Sequence, residues 1–123
     1  MATLADRVYD NGLTVLDTEA NRVDICSAEP STYTAATSTN TLGNTTSITI
    51  SAPTDGDTSG RKVTLSAISG ASVTATGTAT HFAITDTTNS RLLATGSLSS
   101  SQAVTSGNTF SLTAVDIEIP DPA

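Results

Sequence analysis

Residues 109–119, TFSLTAVDIEI, contain two short apolar patterns of opposite parity. Phe110 and Leu112 share one face of an extended chain, because side chains in a strand alternate between its two faces. The opposite parity is taken by Val115, Ile117 and Ile119. This phase slip near Ala114 predicts either a β-bulge or a crossing of the chain from one sheet to another.

Alternation with period two recurs along most of the preceding chain, which is typical of half-buried strands. The alternating positions are Val23 and Ile25; Ile48 and Ile50; Val63, Leu65 and Ala67; Val73, Ala75, Gly77 and Ala79; Phe82 and Ile84; and Leu92, Ala94 and Gly96. Turn residues separate these runs at 29–31, 42–44, 55–57, 69–70, 88–90 and 106–108. The polar stretch 31–47 is interpreted as a long loop or an irregular edge strand. The sequence therefore predicts an all-β fold, an antiparallel β-sandwich or a barrel-like sheet of about seven to nine short strands.

The N-terminal segment has a different period and predicts one short helix over residues 3–17. Leu4, Val8 and Leu16 recur at helical spacing, and Thr3 with Asp6 resembles a capping box in which Asp replaces Glu. Gly12 interrupts the pattern at a cost of about 1 kcal/mol. The chain is thus divided into an N-terminal helical segment (1–20), a β-sandwich domain (21–120) and an acidic tail (121–123).

The composition predicts a thin core with a polar coat. The 123 residues include 25 Thr and 16 Ser but no Trp, two Phe and two Tyr. Thr favours strands through its branched Cβ, and the low charged fraction argues against disorder. Small core residues bury little area each, so docking or self-association is expected to add stability.

The charge distribution bears on the class of partner. The net charge is −7, with −4 in residues 1–29, zero in 30–115 and −3 in 116–123. Such a balance argues against nucleic acid, whose phosphates need Lys and Arg, and against an anionic membrane surface. The first ten residues lack the basic and apolar pattern of a secretion signal, so synthesis in a cytoplasm is expected.

The residue pattern predicts no catalytic, cofactor or metal site. Cys26 is interpreted as a small core residue and the single histidine, His81, as structural or surface-exposed. Residues 55–60, DGDTSG, match the opening of a calcium loop, but Ser66 stands where the bidentate Glu should be. Whether the Asp55–Asp57 loop binds a cation is left open. Asp116 and Glu118 share a strand face like paired glycosidase carboxylates, yet no Trp is present as a sugar platform.

Five segments together resemble small proteins encoded among the head and tail genes of tailed bacteriophages. They are residues 24–30 (DICSAEP), 60–64 (GRKVT), 78–83 (TATHFA), 90–96 (SRLLATG) and 103–110 (AVTSGNTF). The resemblance implies a virion structural protein, best matched by a capsid decoration or cement protein on the outer capsid. It further implies binding to the major capsid protein and a homo-oligomer such as a trimer.

From this resemblance and the lack of catalytic motifs we expect a non-enzymatic protein that stabilises the assembled capsid shell. The residues expected to contact the partner are Leu4, Arg7, Val8 and Tyr9, since Tyr and Arg are enriched in interface hot spots. An alternative reading has Val8 and Tyr9 only cover the open end of the sandwich. The alternative functions are a neck, tail or fibre-base protein of the same particle and a carbohydrate-binding β-sandwich.

Overall fold

The computed structural model describes residues 4–121, which form one α-helix and nine strands in antiparallel sheets. The helix is α1 (Asp6–Glu19). The strands are β1 (Arg22–Cys26), β2 (Thr41–Thr45), β3 (Thr54–Asp55), β4 (Arg61–Leu65), β5 (Ile68–Val73), β6 (Gly77–Asp86), β7 (Arg91–Val104), β8 (Thr109–Leu112) and β9 (Val115–Ile119). The larger sheet is curled, and the predicted all-β class with a short N-terminal helix is confirmed.

Contacts group the described chain into two compact units. We call the first the helix unit, made of residues 4–19, 49–67 and 113–121, and the second the sheet unit, made of residues 20–48 and 68–112. Each unit combines segments that are distant in sequence. The division into 1–20, 21–120 and 121–123 stays a prediction about successive segments, and residues 122–123 of the acidic tail lie outside the described residues.

The helix unit consists of α1 and a three-stranded sheet in the order β3-β4-β9. Cross-strand partners lie on the same face, so Val63 opposite Ile117 and Leu65 opposite Val115 form one apolar face. Both β4 side chains are fully buried, and α1 contacts β4. The buried side of α1 consists of Tyr9, Leu13 and Leu16.

The helix is one continuous element, as predicted, although its bounds lie later than 3–17. Gly12 is accommodated inside it, where a Cβ would meet only Ile119 Cδ1 at 3.9 Å. Thr3, the predicted capping residue, lies outside the described residues. The helix ends at Glu19, three residues after the last buried position, Leu16.

The sheet unit is a six-stranded sheet in the order β7-β6-β1-β2-β5-β8. The register places Val23 beside Ile84 and Ile25 beside Phe82. This apolar face is continued by buried side chains of the outer strands, namely Ala71, Val73 and Phe110. Asp24 and Cys26 point to the face of β1 opposite Val23 and Ile25, and they are buried too. Both faces of this central strand are therefore covered.

Two expectations about residues 31–50 are wrong. Residues 42–44 are not a turn but lie inside β2, a central strand between β1 and β5. Gly43 is required there by close packing, because a Cβ would approach the Ser72 carbonyl oxygen to 2.6 Å and the Phe110 ring to 3.1 Å. Ile48 and Ile50 form no strand, and Ile50 makes only an isolated bridge to Leu65. The stretch 31–47 also contains a π-helical turn, Ala35–Thr39.

The expected turn at 69–70 is also wrong, since both residues lie within β5. Gly70 has a φ of +69° and sits at a register irregularity between Ile68 and Ala71. A glycine in this conformation is typical of a β-bulge, which explains why a turn residue occurs inside a strand. The run 73–79 is likewise divided between β5 and β6.

The phase slip near Ala114 is confirmed as a change of sheet. The strand β8 with Phe110 and Leu112 pairs with β5 in the larger sheet, whereas β9 pairs with β4 in the smaller sheet. The turns predicted at 55–57, 88–90 and 106–108 are observed as well.

Candidate functional site

The four residues expected to contact a partner lie at the start of α1, but they do not share one environment. Leu4 and Val8 are 47% and 55% exposed, and Arg7 is exposed. Tyr9 is only 2% exposed, and its hydroxyl donates a hydrogen bond to Asp121 Oδ1 at 3.2 Å. Burial and the neighbouring carboxylate raise the pKa of Tyr9. The exposed part of the predicted set is therefore Leu4, Arg7 and Val8, while Tyr9 is a core residue of the helix unit.

The helix has a second exposed apolar residue that sequence reasoning missed. Val15 is 37% exposed and lies seven residues after Val8. At 100° per residue these two side chains differ by only about 20° around the axis, so they lie on one line. The same side of α1 carries the exposed Asn11 and Thr18. We call Val8, Asn11, Val15 and Thr18, together with Leu4 just before the first residue of the helix, the outer face of α1. The seven-residue spacing of the two valines is the sequence feature from which this face could have been predicted.

This outer face makes α1 unusual for a helix at a protein surface. Such helices normally have one apolar stripe toward the core and charged residues opposite it. Here the centre of the core stripe formed by Tyr9, Leu13 and Leu16 lies more than a quarter-turn from Val8 and Val15, which are exposed. Acidic Asp6 and Asp10 stand on the flank of the helix, not on its outer face. The outer face is itself uncharged and partly apolar, and Arg7 and Glu19 border it, each about 20° around the axis from one of its members.

Arg61 holds α1 on its sheet. Its guanidinium donates to the two oxygens of Asp10 at 2.8 and 3.3 Å, and to Asp55 Oδ1 at 2.7 Å. It also reaches the carbonyl oxygen of Pro53 at 3.3 Å. The Asp10 carboxylate, followed by the Asp55 carboxylate, raises the pKa of Arg61. A multidentate arginine fixes orientation as well as distance, so the outer face is held by a defined contact.

Two sequence candidates meet on the opposite face of the small sheet. Oxygen atoms of Asp57, from the incomplete calcium loop, and of Asp116 and Glu118, the paired carboxylates, lie within 4.8 Å of one another. Lys62 Nζ donates to Asp57 at 2.6 Å and to Asp116 at 3.1 Å. Hydrogen bonds from Thr64 and Lys62 lower the pKa of Asp116. Lys62 supplies the positive charge that a cation would otherwise bring to this group.

The calcium-loop pattern does not converge on one point. Asp55 forms an ion pair with Arg61, whereas Asp57 forms one with Lys62. The backbone N–H of Asp57 donates to Glu118 Oε1 at 3.1 Å, which closes the loop onto β9. We assign the loop as an ion-paired hairpin connection between β3 and β4.

The sheet unit contains a buried ion pair that sequence reasoning did not identify. Asp24 is fully buried and accepts from Arg22 Nε at 2.7 Å and Nη2 at 2.8 Å. The Thr41 hydroxyl donates to the same carboxylate at 2.6 Å. The alternation of β1 was the available signal, because it places Arg22 and Asp24 on one face of a strand whose other face is apolar. This group links β1 to β2.

The remaining reactive side chains are also built into the sheet unit. Burial raises the pKa of the Cys26 thiol to about 12, so it is not a thiolate near neutral pH. Cys26 packs with Ala36, Ala83 and Leu92, as expected for a core residue. Within residues 4–121, His81 bonds the Thr80 hydroxyl at 2.8 Å and approaches Glu29 at 3.7 Å. These partners do not form a Ser-His-Asp arrangement.

In the part of the chain that the structure describes, no helix has the length and apolar character needed to cross a membrane. Comparison with protein-family models, with curated proteins and with solved structures finds no match. The candidate site is accordingly defined by its own geometry, and the outer face of α1 is its central feature.

Proposed function

We propose that this chain is a non-enzymatic structural protein of a virus particle, a decoration or cement protein that binds the assembled capsid shell through the outer face of α1. The observation that carries the docking role is the exposure of Val8 and Val15 on a helix whose other side is already packed, and of Leu4 just before that helix. Exposed apolar surface of this kind on a chain with few apolar residues favours a protein partner.

The energetics favour docking to an assembly over docking to a single subunit. Complete burial of a Leu or Val side chain stabilises by roughly 1.5–3 kcal/mol, and the three side chains are already partly buried. Association costs about 4–15 kcal/mol in lost translational and rotational freedom. The outer face alone therefore supports weak binding, which becomes useful where adjacent subunits of a shell supply further contacts.

The assignment to a virion, and to the capsid surface within it, is supported by the resemblance of residues 24–30, 60–64, 78–83, 90–96 and 103–110 to phage head and tail proteins. The major capsid protein is the proposed partner, and a homo-oligomer is the proposed form on the shell. A neck, tail or fibre-base role uses the same docking chemistry and differs in copy number, which the experiment below measures.

The test is co-sedimentation of the purified protein with assembled shells of the major capsid protein from the same genome. The wild-type chain should bind in large copy number across the shell and raise the temperature at which the shell ruptures. Val8→Asp places a charge on the outer face and should weaken binding at least about tenfold, or 1.4 kcal/mol. Ser99→Asp adds the same charge at an exposed position of the sheet unit and serves as the matched control.

Two results would overturn the proposal. Equal binding of Val8→Asp and Ser99→Asp would remove α1 from the interface. A copy number limited to one ring per particle would replace the cement role by a neck or tail role. Circular dichroism of both variants checks that each has folded, since position 8 is exposed and tolerates a polar side chain in the free protein.

A further inference from the structure

The two open sheets end in four edge strands, and these edges differ in how well they are protected. An exposed edge offers unpaired N–H and C=O groups to another strand, and bulges, charges or short length prevent such pairing. In the larger sheet the edges are β7 and β8, and in the smaller sheet they are β3 and β9. The edge strands β3 and β8 have only two and four residues.

The long edge strand β7 is interrupted twice. Its register with β6 passes from Ser97 opposite His81 to Gln102 opposite Ala79, so residues 98–101 face only Thr80. A second irregularity places Leu93 outside the ladder, between Leu92 and Ala94. Bulges of this kind bend an edge away from a regular ladder. This strand is therefore a poor acceptor for an added strand.

The edge strand β9 is regular over its whole length. All five residues pair with β4 without a shift, from Val115 opposite Leu65 to Ile119 opposite Arg61. In the described sheet no strand lies on its other side. Its apolar face is incomplete as well, since Ile119 is 36% exposed and Val115 and Ile117 are only half-buried.

The charges beside this edge decide what can pair with it. Asp116 and Glu118 project from the face opposite Ile117, and with Asp57 and Lys62 they leave a net charge of −2. A second copy pairing antiparallel about Ile117 would place Asp116 directly opposite Glu118. Like charges directly opposite each other destabilise a strand pair. Self-pairing of β9 is thus disfavoured.

We propose that the outer edge of β9 binds an extended segment of another protein in which Lys or Arg alternates with apolar residues. The added strand would complete the β9 backbone hydrogen bonds, as in other cases of β-strand addition. Its basic side chains would face Asp116 and Glu118, and its apolar side chains would extend the face of Val115, Ile117 and Ile119. This inference does not depend on the capsid proposal.

The experiment is amide hydrogen exchange by NMR on the full chain with a short peptide in which Lys and Val alternate. In the free protein, alternate amides of β9 should exchange rapidly because they point away from β4. The alternating peptide should slow their exchange. A peptide of the same composition with consecutive lysines should leave it unchanged, because its basic residues would project from both faces.

Variants test the charge contribution. Glu118→Lys should weaken binding of the alternating peptide at least about fivefold, and Glu118→Gln should weaken it less, because the amide oxygen can still accept from Asp57 N–H. Glu29→Lys makes the same change of net charge in the sheet unit and should bind as the wild type does.

The proposal is overturned if the peptide with consecutive lysines binds equally well, or if Glu29→Lys weakens binding as much as Glu118→Lys. It is also overturned if the alternating peptide protects no β9 amide. The comparison of peptides on the wild-type chain decides the question even if a Glu118 variant fails to fold.

Discussion

The helix unit and the sheet unit differ in where they place charge and apolar surface. The helix unit carries nine acidic and three basic residues, a net charge of −6, whereas the sheet unit carries three acidic and two basic residues, a net of −1. The four exposed large apolar side chains in the described chain, Leu4, Val8, Val15 and Ile119, also lie in the helix unit. The sheet unit instead buries an ion pair. The surfaces suited to partners are thus concentrated in one unit.

The largest effect is expected in the sheet unit, from Arg22→Ala. This change leaves the Asp24 carboxylate buried without its cation and should cost about 3–5 kcal/mol of unfolding free energy. Denaturant unfolding measures it. The double variant Arg22→Met with Asp24→Leu removes both charges and should recover most of the loss. Equal stability of Arg22→Ala and the wild type would contradict a structural role for the pair.

A second change in the sheet unit tests the close approach of its strands. Gly43→Ala should destabilise by about 1–3 kcal/mol, because the new Cβ collides with the Ser72 carbonyl and the Phe110 ring. Amide exchange should rise more in the β2–β5 pair than in the β1–β6 pair. Uniform acceleration across the sheet would show that the strain is not local.

The helix unit should respond to a glycine replacement in the opposite direction. Gly12→Ala removes a poor helix former, and its Cβ meets Ile119 only at ordinary contact distance, so stability should rise by about 0.5–1 kcal/mol. Thermal unfolding measures the gain. Gly70→Ala is the control, since its positive φ makes the same substitution unfavourable despite open space around it. A loss of stability in Gly12→Ala would indicate that α1 is already strained there.

The smallest expected effect is on how stability depends on pH in the acid range. One carboxylate in each unit contributes to it. The pKa of Asp86 is lowered by its hydrogen bond with Asn89, and that of Asp116 by those with Thr64 and Lys62. A lowered pKa in the folded state stabilises above the ordinary carboxyl range and loses this contribution as the pH falls through the folded value. Stability should therefore fall below about pH 4.

Asp86→Asn and Asp116→Asn should each flatten this fall in denaturant unfolding measured at several pH values. Asp86, the last residue of β6, reports on the sheet unit, and Asp116 in β9 reports on the helix unit. An unchanged pH profile in both variants would mean that other carboxylates govern the acid response.

Much of the fold could be predicted because its signals are local. Period-two alternation marks β1, β4 and β6, and turn residues mark the connections at 55–57, 88–90 and 106–108. The candidate site was harder. Val8 was predicted to be exposed to a partner, but Tyr9 next to it is internal, because the side of a helix that packs depends on the sheet beneath it.

Two of the errors share one physical origin. Gly43 was interpreted as a turn residue, but it lies in a central strand. A glycine is needed there because a neighbouring carbonyl and a phenyl ring leave no room for a Cβ. Asp24 was considered only as part of the negative charge of the chain, but it is buried. Its burial is tolerated because Arg22 forms an ion pair with the carboxylate and the Thr41 hydroxyl donates a hydrogen bond to it. In each case a residue distant in sequence contributes, Ser72 and Phe110 for Gly43 and Thr41 for Asp24.

Local sequence pattern was enough to predict a chain rich in antiparallel strands, a helix in the N-terminal segment and a break in strand phase near Ala114, because backbone preference and side-chain alternation act between near neighbours. Long-range packing fixed which side of α1 remains exposed, that the phase break near Ala114 is a change of sheet, that Lys62 pairs with Asp57 and Asp116, and that β9 is a regular edge strand of its sheet. These features depend on register and packing between segments far apart in the chain, which no local pattern encodes.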